Sequence, residues 1–460
     1  MNAKINIYTF ATQEDEIMYK NRHFLLQGIL MTALLLAILL QGLTHRIPMK
    51  PLNGFTDVLQ PETLSFKTYY DGSYQNYLTQ YAKLNTGFRE PLIRSYNQFA
   101  FSCLDKITNN TIVKGSNNEL FLNSYLEEYQ GQTLANKFGT VDNAKVFAQQ
   151  QLEETLKFIQ ILEAHGTRFL FVFCPTKPFL YHERLPNWYQ HHAADFSLEE
   201  YFIELFKENN IPIIDFYHYF KEIKDDFPYP LMSKTGSHWS ESTIPFVGDS
   251  IYRKIEALTG NRLPTMEIVD QNISTNYSVI DGELEANLNL LFPLRKEAIP
   301  NPVCTLSDTV GKDRPNLIVI GDSFFNLLRR SVFVNAFNHW DYWVYNKYIH
   351  SSRDFYNGRQ TNMVFDAAEM LEEADIVIAM FTSIFLPDYL FGFVPMASEL
   401  LTNGNPPDEV YIDQIIESIK NDPEWYESIK KQSKENGITL EEGLRNNAGY
   451  VLWNYRQTPH

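Results

Sequence analysis

The feature that most constrains this chain is a set of four short apolar runs, each preceded by an amphipathic helical pattern. The runs are RFLFVFCP from Arg168, IPIIDF from Ile211, NLIVIGDSF from Asn316 and ADIVIAMF from Ala374. Continuous apolar runs of this length are typical of parallel strands that are buried on both faces. The alternation therefore predicts a three-layer α/β domain with a mostly parallel sheet, whose active residues lie at the carboxyl ends of its strands.

Helical segments are predicted on both flanks of this domain. Apolar residues recur at helical spacing in 77–84 and 92–104, and residues 111–129 predict a strand, a turn, a second strand and a helix. A long amphipathic helix is predicted over 144–165, where a glycine follows it. Two further helices are predicted in 410–460.

Residues 24–43 form an uncharged apolar stretch of the length that a membrane-spanning helix needs. About twenty residues, rising ~1.5 Å each, match the ~30 Å hydrocarbon core of a bilayer. The sequence from Gln41 to His45 offers no small-x-small cleavage site, so an uncleaved transmembrane signal anchor is expected. Export of a large domain is the usual reason for such an anchor.

This layout divides the chain into five predicted segments. They are a short cytoplasmic tail (1–23), the signal anchor (24–43), a helical extracytoplasmic linker (44–109), the α/β domain (110–400) and a helical C-terminal extension (401–460). The positive charges that flank the anchor are nearly balanced, so they set its orientation only weakly. We expect a single-pass inner-membrane protein with its large domain on the periplasmic side.

Charge and cysteine content exclude several classes of function. The 39 Lys and Arg residues against 56 Asp and Glu give a formal charge of -17, which repels phosphate backbones, so nucleic acid is not expected as a partner. Cys103, Cys174 and Cys304 form neither a CxxC motif nor a Cys/His cluster, and their pairing stays open. No metal or cofactor is expected. The 14% aromatic content suits stacking on sugar rings, although a tyrosine-rich core is the commoner explanation.

The candidate nucleophile is Ser323, within Gly321-Asp322-Ser323-Phe324 directly after an apolar run and before a helical pattern. At a strand-to-helix turn its hydroxyl can point into a crevice, where backbone N–H groups can hold an oxyanion. The alternative is that Ser323 simply caps the helix. The same tripeptide ends at Ser250, but that serine lies inside a helical pattern and is expected to be a bystander.

The candidate general base is His238, because a serine hydroxyl needs a base to become a nucleophile near neutral pH. It lies in the polar, turn-rich segment SKTGSHWSEST, ahead of a helix that is predicted to begin near Thr243 because Pro245 fits only a first turn. A hydrogen-bonded structural role is the alternative for any one of the eleven histidines.

These two segments together resemble the SGNH hydrolase-like domain of the AlgX/AlgJ alginate O-acetyltransferase family, as in exported homologues from Bacteroidetes-like bacteria. In that family an Asp-x-His-Trp-Ser/Thr segment precedes a Gly-Asp-Ser-Phe/Tyr segment, and here His238-Trp239-Ser240 precedes Gly321-Asp322-Ser323-Phe324. The segments VKG at 113–115 and CPTK at 174–177 are similar to two further family motifs. The resemblance covers roughly 110–390. It implies an SGNH hydrolase-like fold, with Ser323 as nucleophile and His238 as base.

One position departs from the family, since Gly236 stands where the triad aspartate is expected. Either the pair Ser323 and His238 acts as a dyad, or another acid such as Asp215 or Asp281 reaches the histidine, or the chain is inactive. Gly321, Asp322, Gly236 and Trp239 are expected to support the loops of the site. Lys177 is a candidate substrate-binding residue, with an exposed loop lysine as the alternative.

The resemblance implies a membrane-anchored, extracytoplasmic O-acyltransferase that passes an acyl group, usually acetyl, from Ser323 to an exopolysaccharide or cell-surface glycan. It also implies a membrane-bound O-acyltransferase as the partner that supplies acetyl groups. A carbohydrate esterase is the second interpretation, because water can replace the sugar as acceptor. A catalytically silent polysaccharide-binding assembly subunit is the third, and Gly236 motivates it.

Overall fold

The structure is a computed structural model that describes residues 3–54, 59, 61–353 and 357–457, with side chains described from residue 22 to residue 456. The chain forms two compact units. The first comprises residues 1–109 and 285–294, and the second comprises residues 110–284 and 295–460.

Eleven strands are described in the second unit. They are β1 (Ile112–Lys114), β2 (Leu120–Leu122), β3 (Arg168–Cys174), β4 (Ile213–Asp215), β5 (Thr265–Ser274), β6 (Ile299–Ser307), β7 (Leu317–Gly321), β8 (Trp340–Val344), β9 (Tyr348–Ser351), β10 (Arg359–Gln360) and β11 (Ile376–Thr382). Seven of them form one sheet in the order β10-β9-β8-β7-β11-β3-β4, while β1–β2 and β5–β6 are separate pairs.

The large sheet is parallel from β4 through β3, β11 and β7 to β8, and only β9 and β10 run antiparallel at one edge. This confirms the predicted α/β class with a mostly parallel sheet. Gly321 pairs with Met380, so the loops after β7 and β11 begin side by side. The carboxyl ends of the central strands therefore meet at one edge of the sheet.

Nineteen helices are described. They are α1 (Ala3–Thr44), α2 (Phe66–Tyr70), α3 (Ser73–Leu84), α4 (Arg89–Cys103), α5 (Asn123–Tyr129), α6 (Gln132–Phe138), α7 (Val141–Ala164), α8 (Lys177–Leu180), α9 (Asn187–Gln190), α10 (Leu198–Glu208), α11 (Phe216–Ile223), α12 (Ile244–Thr259), α13 (Glu283–Leu288), α14 (Phe325–Arg330), α15 (Ala367–Glu372), α16 (Phe393–Asn403), α17 (Asp408–Asn421), α18 (Pro423–Asn436) and α19 (Leu440–Gln457).

Side chains of the central strands alternate between two hydrophobic cores, one on each face of the sheet. In β3, Phe169, Phe171 and Phe173 face a core that includes α7, α10 and α16. Leu170 and Val172 face the opposite core, which includes α12 and α14. Helices on both faces give the three layers that the sequence predicts. The helices α17, α18 and α19 also bury side chains in the core that contains Phe169, Phe171 and Phe173.

The first unit contains the long helix α1 and the short helices α2 to α4. Within α1, residues Arg22–Thr44 have a mean hydropathy of 2.2 and are long and apolar enough to cross a membrane. A second stretch, Ser383–Asn403, passes the same test, but half of it is buried inside the second unit. Burial accounts for the apolar character of the second stretch, whereas most side chains of the first are exposed.

Several elements were not predicted from the sequence. The hairpin of β5 and β6, the strands β8 to β10 and the helix α18 have no counterpart among the predicted elements. The helix expected after Ser323 is also shorter than its apolar pattern, because α14 ends at Arg330 and a 3₁₀ turn covers Val332–Ala336.

Candidate active site

Ser323 lies two residues beyond the end of β7, on a loop that Asp322 fixes. Asp322 is fully buried, and its carboxylate accepts hydrogen bonds from the N–H of Phe324 (2.9 Å) and from both the N–H and the hydroxyl of Thr382 (2.8 Å each). A Cβ at Gly321 would lie 2.9 Å from the Met380 carbonyl oxygen, so only glycine fits against β11 there. Asp322 and Gly321 thus hold Ser323 at the carboxyl edge of the sheet.

His238 lies directly against the serine, with 2.7 Å between its Nε2 and Ser323 Oγ. The adjacent Trp239 is fully buried, and its Nε1 donates a hydrogen bond to the Phe324 carbonyl oxygen at 3.2 Å. The rings of Trp239 and Phe324 also pack edge to face, 5.0 Å apart. The loop that carries His238 therefore packs directly against the loop that carries Ser323, next to both candidate residues.

The other nitrogen of the imidazole contacts Glu283, a residue that no sequence motif indicated. His238 Nδ1 lies 2.8 Å from Glu283 Oε1, which also accepts from the Ser237 N–H (2.9 Å) and hydroxyl (2.5 Å). A carboxylate only accepts hydrogen bonds, so Nδ1 carries the proton and Nε2 is left to accept from Ser323. Burial alone would raise the pKa of Glu283. Hydrogen bonds with His238 and Ser237, together with the charge interaction with His238, outweigh burial and lower the pKa.

The two acids proposed from the sequence lie elsewhere. Asp215 caps α11 and pairs with Lys207 and His218, and its pKa is lowered because those contacts outweigh its burial. Asp281 accepts a hydrogen bond from the N–H of Glu241 (3.3 Å), and burial raises its pKa to about 6. The structure thus corrects both candidates in favour of Glu283, two residues beyond Asp281.

The atoms packed around Gly236 leave no room for a side chain at this position. A Cβ there would lie 2.8 Å from the Ile280 carbonyl oxygen and 2.6 Å from Ser233 Oγ, so the turn excludes an aspartate in this backbone position. The hydroxyls of Ser233 and Thr235 both donate to the Asp281 carbonyl oxygen, at 2.7 and 2.8 Å. These bonds bring the segment before Glu283 onto the histidine turn.

Lys177 is neither exposed nor free to bind substrate, which corrects both interpretations of it. Its side chain is fully buried, and its Nζ forms a 2.8 Å ion pair with Glu119. The three N–H donors of this ammonium face four further oxygens, the carbonyls of Leu120, Ser233, Lys234 and Gly236, at 2.7–3.1 Å from Nζ. Burial lowers its pKa and Glu119 opposes that change. Lys177 therefore fixes the turn that leads to His238.

Tyr345 is a second residue of the site that no sequence pattern indicated. It follows β8 in a left-handed conformation (φ 50°), and its N–H donates to the Gly321 carbonyl oxygen at 3.0 Å. Burial and the nearby Asp322 raise the pKa of its hydroxyl, while interactions with the side chain and backbone of Ser323 oppose the rise. A neutral Tyr345 can thus donate a hydrogen bond to negative charge that develops beside Ser323.

Ser250, in the second Gly-Asp-Ser tripeptide, lies inside α12, where the sequence predicted a helix. Its hydroxyl donates to the Phe246 carbonyl oxygen, one turn back, at 2.8 Å. It therefore provides a matched serine outside the candidate site.

Residues 134–316 match the family model of the SGNH hydrolase-like domain of acetyltransferase AlgX. The match includes His238 and Glu283 and ends before Ser323. The family resemblance predicted from the sequence is thereby confirmed over residues 134–316. Comparison with curated protein sequences gives no match.

Three solved structures are similar to this chain at low identity. The O-acetyltransferase domain of Pseudomonas putida AlgJ is 16% identical, with 64% of this chain and 99% of that chain covered and a TM-score of 0.38. Pseudomonas aeruginosa AlgX is 13% identical, with coverages of 66% and 71% and a TM-score of 0.43. Bacillus cereus PatB1, in a structure with a sulfonyl adduct, is 11% identical, with coverages of 54% and 93% and a TM-score of 0.36.

Proposed function

We propose that the chain is a serine-dependent O-acyltransferase, and that Ser323, His238 and Glu283 are its nucleophile, base and acid. The observation that carries the proposal is the continuous relay of contacts from Ser323 Oγ through both imidazole nitrogens to Glu283, with distances of 2.7 and 2.8 Å. A nucleophile, a base and an acid that orients the base form the arrangement used for acyl transfer on many unrelated folds. The match to an acetyltransferase family favours acetyl as the acyl group.

The proposed reaction has two steps. His238 takes the proton of Ser323 as the hydroxyl attacks the donor ester, Tyr345 donates to the oxyanion, and the donor alcohol leaves with the proton. A hydroxyl of a polysaccharide then attacks the acyl-serine, with His238 again as base. Glu283 holds the imidazole in the required tautomer and stabilises the imidazolium. Esterase activity would differ only in that water replaces the sugar.

The silent-subunit interpretation was motivated by Gly236 alone. A glutamate beside His238 Nδ1 removes that motivation, because the acid is supplied from another part of the chain. An active enzyme is the better-supported proposal.

A fluorophosphonate or acyl-ester probe tests the nucleophile on the full-length protein in detergent. We expect labelling at Ser323 that is lost in Ser323→Ala and unchanged in the matched variant Ser250→Ala. Labelling that survives in Ser323→Ala, or is lost equally in both variants with folding intact, would contradict the assignment.

We further propose that residues 24–43 anchor the chain in the inner membrane with the second unit outside the cytoplasm, where it receives acetyl groups from a membrane-bound O-acyltransferase. The uncharged helix with exposed apolar side chains supports the anchor, and the family resemblance suggests the partner. Fractionation of lysed cells tests the anchor. Recovery of the full-length protein in the soluble fraction without detergent would exclude it.

A further inference from the structure

The loop between α3 and α4 lies directly against the carboxyl-terminal part of α1, within the first unit. A Cβ at Gly87, in this loop, would overlap the Ile38 carbonyl oxygen and lie 2.7 Å from the Gly42 nitrogen. A Cβ at Gly42 would in turn overlap the Asn85 carbonyl oxygen. Two backbones approach this closely only where no side chain lies between them. Gly42 and Gly87 therefore hold the facing ends of α3 and α4 beside the apolar helix.

This contact lies inside the apolar stretch that is long enough to cross a membrane. Gln41 is buried there, and its side chain donates to the Ile47 carbonyl oxygen (2.7 Å) and accepts from the Ile47 N–H (3.2 Å). Irregular backbone that faces lipid does not occur within the hydrocarbon core, because its polar groups would lack partners. When α1 spans a bilayer, the surface of the hydrocarbon core therefore lies close to Gly42, and the α3–α4 loop lies at that surface.

The helices α2 and α3 carry large apolar side chains that the described part of the chain does not cover. None of the described residues of either helix is buried. The exposed fractions are 81% for Phe66, 73% for Tyr70 and 48% for Tyr81. Tyr77 lies one turn before Tyr81, and the centroids of the two rings are 6.1 Å apart. Because a helix of this length is marginal in water unless its apolar face packs against a partner, the tyrosine face of α3 needs a covering surface.

The helix α4 contacts the rest of the first unit through polar side chains. Asn97 donates a hydrogen bond to the Leu288 carbonyl oxygen at 2.9 Å. Leu92, Tyr96 and Phe99 recur at the spacing of one helix face, and each of the three side chains is more than half exposed. The helix α4 thus carries a second apolar face that the described part of the chain leaves uncovered.

We propose that the apolar faces of α2, α3 and α4 insert into the headgroup region of the bilayer that α1 crosses, in the leaflet at the carboxyl-terminal end of α1. The contact between Gly42 and Gly87 holds them at that level. The proposal rests on the proposed membrane anchor and adds a second lipid contact to it. The first unit then lies on the membrane surface as well as crossing the membrane.

Composition, position and charge favour lipid over a protein as the partner of these faces. Tyrosine is enriched at membrane–water interfaces, where an amphipathic ring contacts both acyl chains and headgroups. The faces begin at a loop that contacts the membrane-spanning stretch itself. Residues 61–104 contain four Lys and Arg residues and three Asp and Glu residues, in a chain with a formal charge of -17. This segment therefore lacks the excess of negative charge that anionic headgroups would repel.

Photo-crosslinking of the full-length protein in liposomes of phosphatidylglycerol and phosphatidylethanolamine tests the lipid contact. The photoreactive residue p-benzoylphenylalanine replaces one residue at a time, namely Tyr81, Tyr96, Thr79 or Leu34. Thr79 is the matched control, because it is exposed on α3 on the side opposite Tyr81. Leu34 reports on the anchor alone. We expect lipid adducts, identified by mass spectrometry, at Tyr81, Tyr96 and Leu34, and only background at Thr79.

The position within the span separates this inference from the proposed anchor. Adducts at Leu34 without adducts at Tyr81 and Tyr96 would overturn the inference and leave the anchor in place. Absence of adducts at Leu34 would contradict the anchor and this inference together. Adducts at Tyr81 that join two copies of the chain, in place of lipid, would assign the face to a protein partner and equally overturn the inference.

A pair of glycine variants tests what holds the faces at the membrane. Gly28 and Gly42 both lie in the apolar stretch, but a Cβ at Gly28 meets nothing within 4 Å. We expect Gly42→Val to lower the yield of lipid adducts at Tyr81 by about tenfold, because the valine displaces the α3–α4 loop, and to leave adducts at Leu34 unchanged. Gly28→Val should change neither yield. Equal yields at Tyr81 in the two variants would refute the role of the glycine contact.

Discussion

Glu283→Gln isolates the contribution of the carboxylate charge, because glutamine keeps the size and one acceptor oxygen of the side chain. In the reaction His238 becomes positively charged 2.8 Å from Glu283 Oε1. Coulomb's law at that distance gives about 6 kcal/mol for an effective dielectric constant of about 20 and about 1.5 kcal/mol in water. The side chains of His238 and Glu283 are 13% and 22% exposed, which places the pair nearer the first limit. We expect acylation to slow by about 10²–10⁴-fold.

Single-turnover release of p-nitrophenol from p-nitrophenyl acetate measures this step, with thermal unfolding as the check on folding. Asp281→Asn is the matched control, because Asp281 is the nearby acid that does not contact the imidazole, and it should slow acylation no more than about threefold. Because contacts with His238 and Ser237 lower the pKa of Glu283, the stability it contributes is present above the ordinary carboxyl pKa and is lost as pH falls through the lowered value. The Glu283→Gln variant should not show this loss of stability at acid pH. An acylation rate within threefold of wild type in Glu283→Gln would refute the role of the acid.

Three further outcomes are expected. Gly236→Asp should lower the free energy of unfolding by about 1–3 kcal/mol and reduce activity, because its Cβ meets the Ile280 carbonyl oxygen. Gly236→Ala should have the same effect. A Gly236→Asp enzyme that is faster than wild type would contradict this. Lys177→Met should cost about 3–5 kcal/mol in chemical denaturation, because the buried Glu119 carboxylate keeps only Arg184 as an ion-pair partner, whereas Lys145→Met, at an exposed lysine of α7, should be nearly neutral. Burial raises the pKa of Glu128 to about 7. The folded state therefore keeps its full stability below pH 4.5 and loses stability as pH rises through 7, where the carboxyl group ionises in the folded chain. Glu128→Gln should therefore raise the melting temperature at pH 8 and leave it unchanged at pH 4.

The central strands were predictable because their sequences have only one low-energy environment. Arg168–Cys174 and Ile376–Thr382 are continuous apolar runs, and almost every residue in them is buried. By contrast, β8 is a short strand that contains the charged residue Asp341, whose burial is compensated by a hydrogen bond from Ser351. No local pattern reveals that partner, because it arrives on the next strand of the sheet.

The candidate site likewise contains residues that the sequence identifies and residues that only the folded chain brings together. Ser323 was identifiable because a strand-to-helix turn is encoded by adjacent residues, and His238 because its segment resembles a known motif. Glu283 lies 45 residues from His238, and only the folded segment decides that it, rather than Asp281, faces the imidazole. Lys177 looked like a loop lysine because the carbonyls that surround it come from two other segments. Contacts of this kind depend on tertiary structure and leave no spacing in the sequence.

The placement of Glu283 on a separate stretch of chain has a consequence for how related sequences are sorted. A search that demands an aspartate two residues before the histidine would class this chain with pseudoenzymes, since Gly236 fills that position. Yet the imidazole is oriented by a carboxylate all the same. In the proposed mechanism, Glu283 supplies the carboxylate that an aspartate at the position of Gly236 would supply. Sequences that lack the short motif are better judged by whether any acid can reach the histidine in the folded chain.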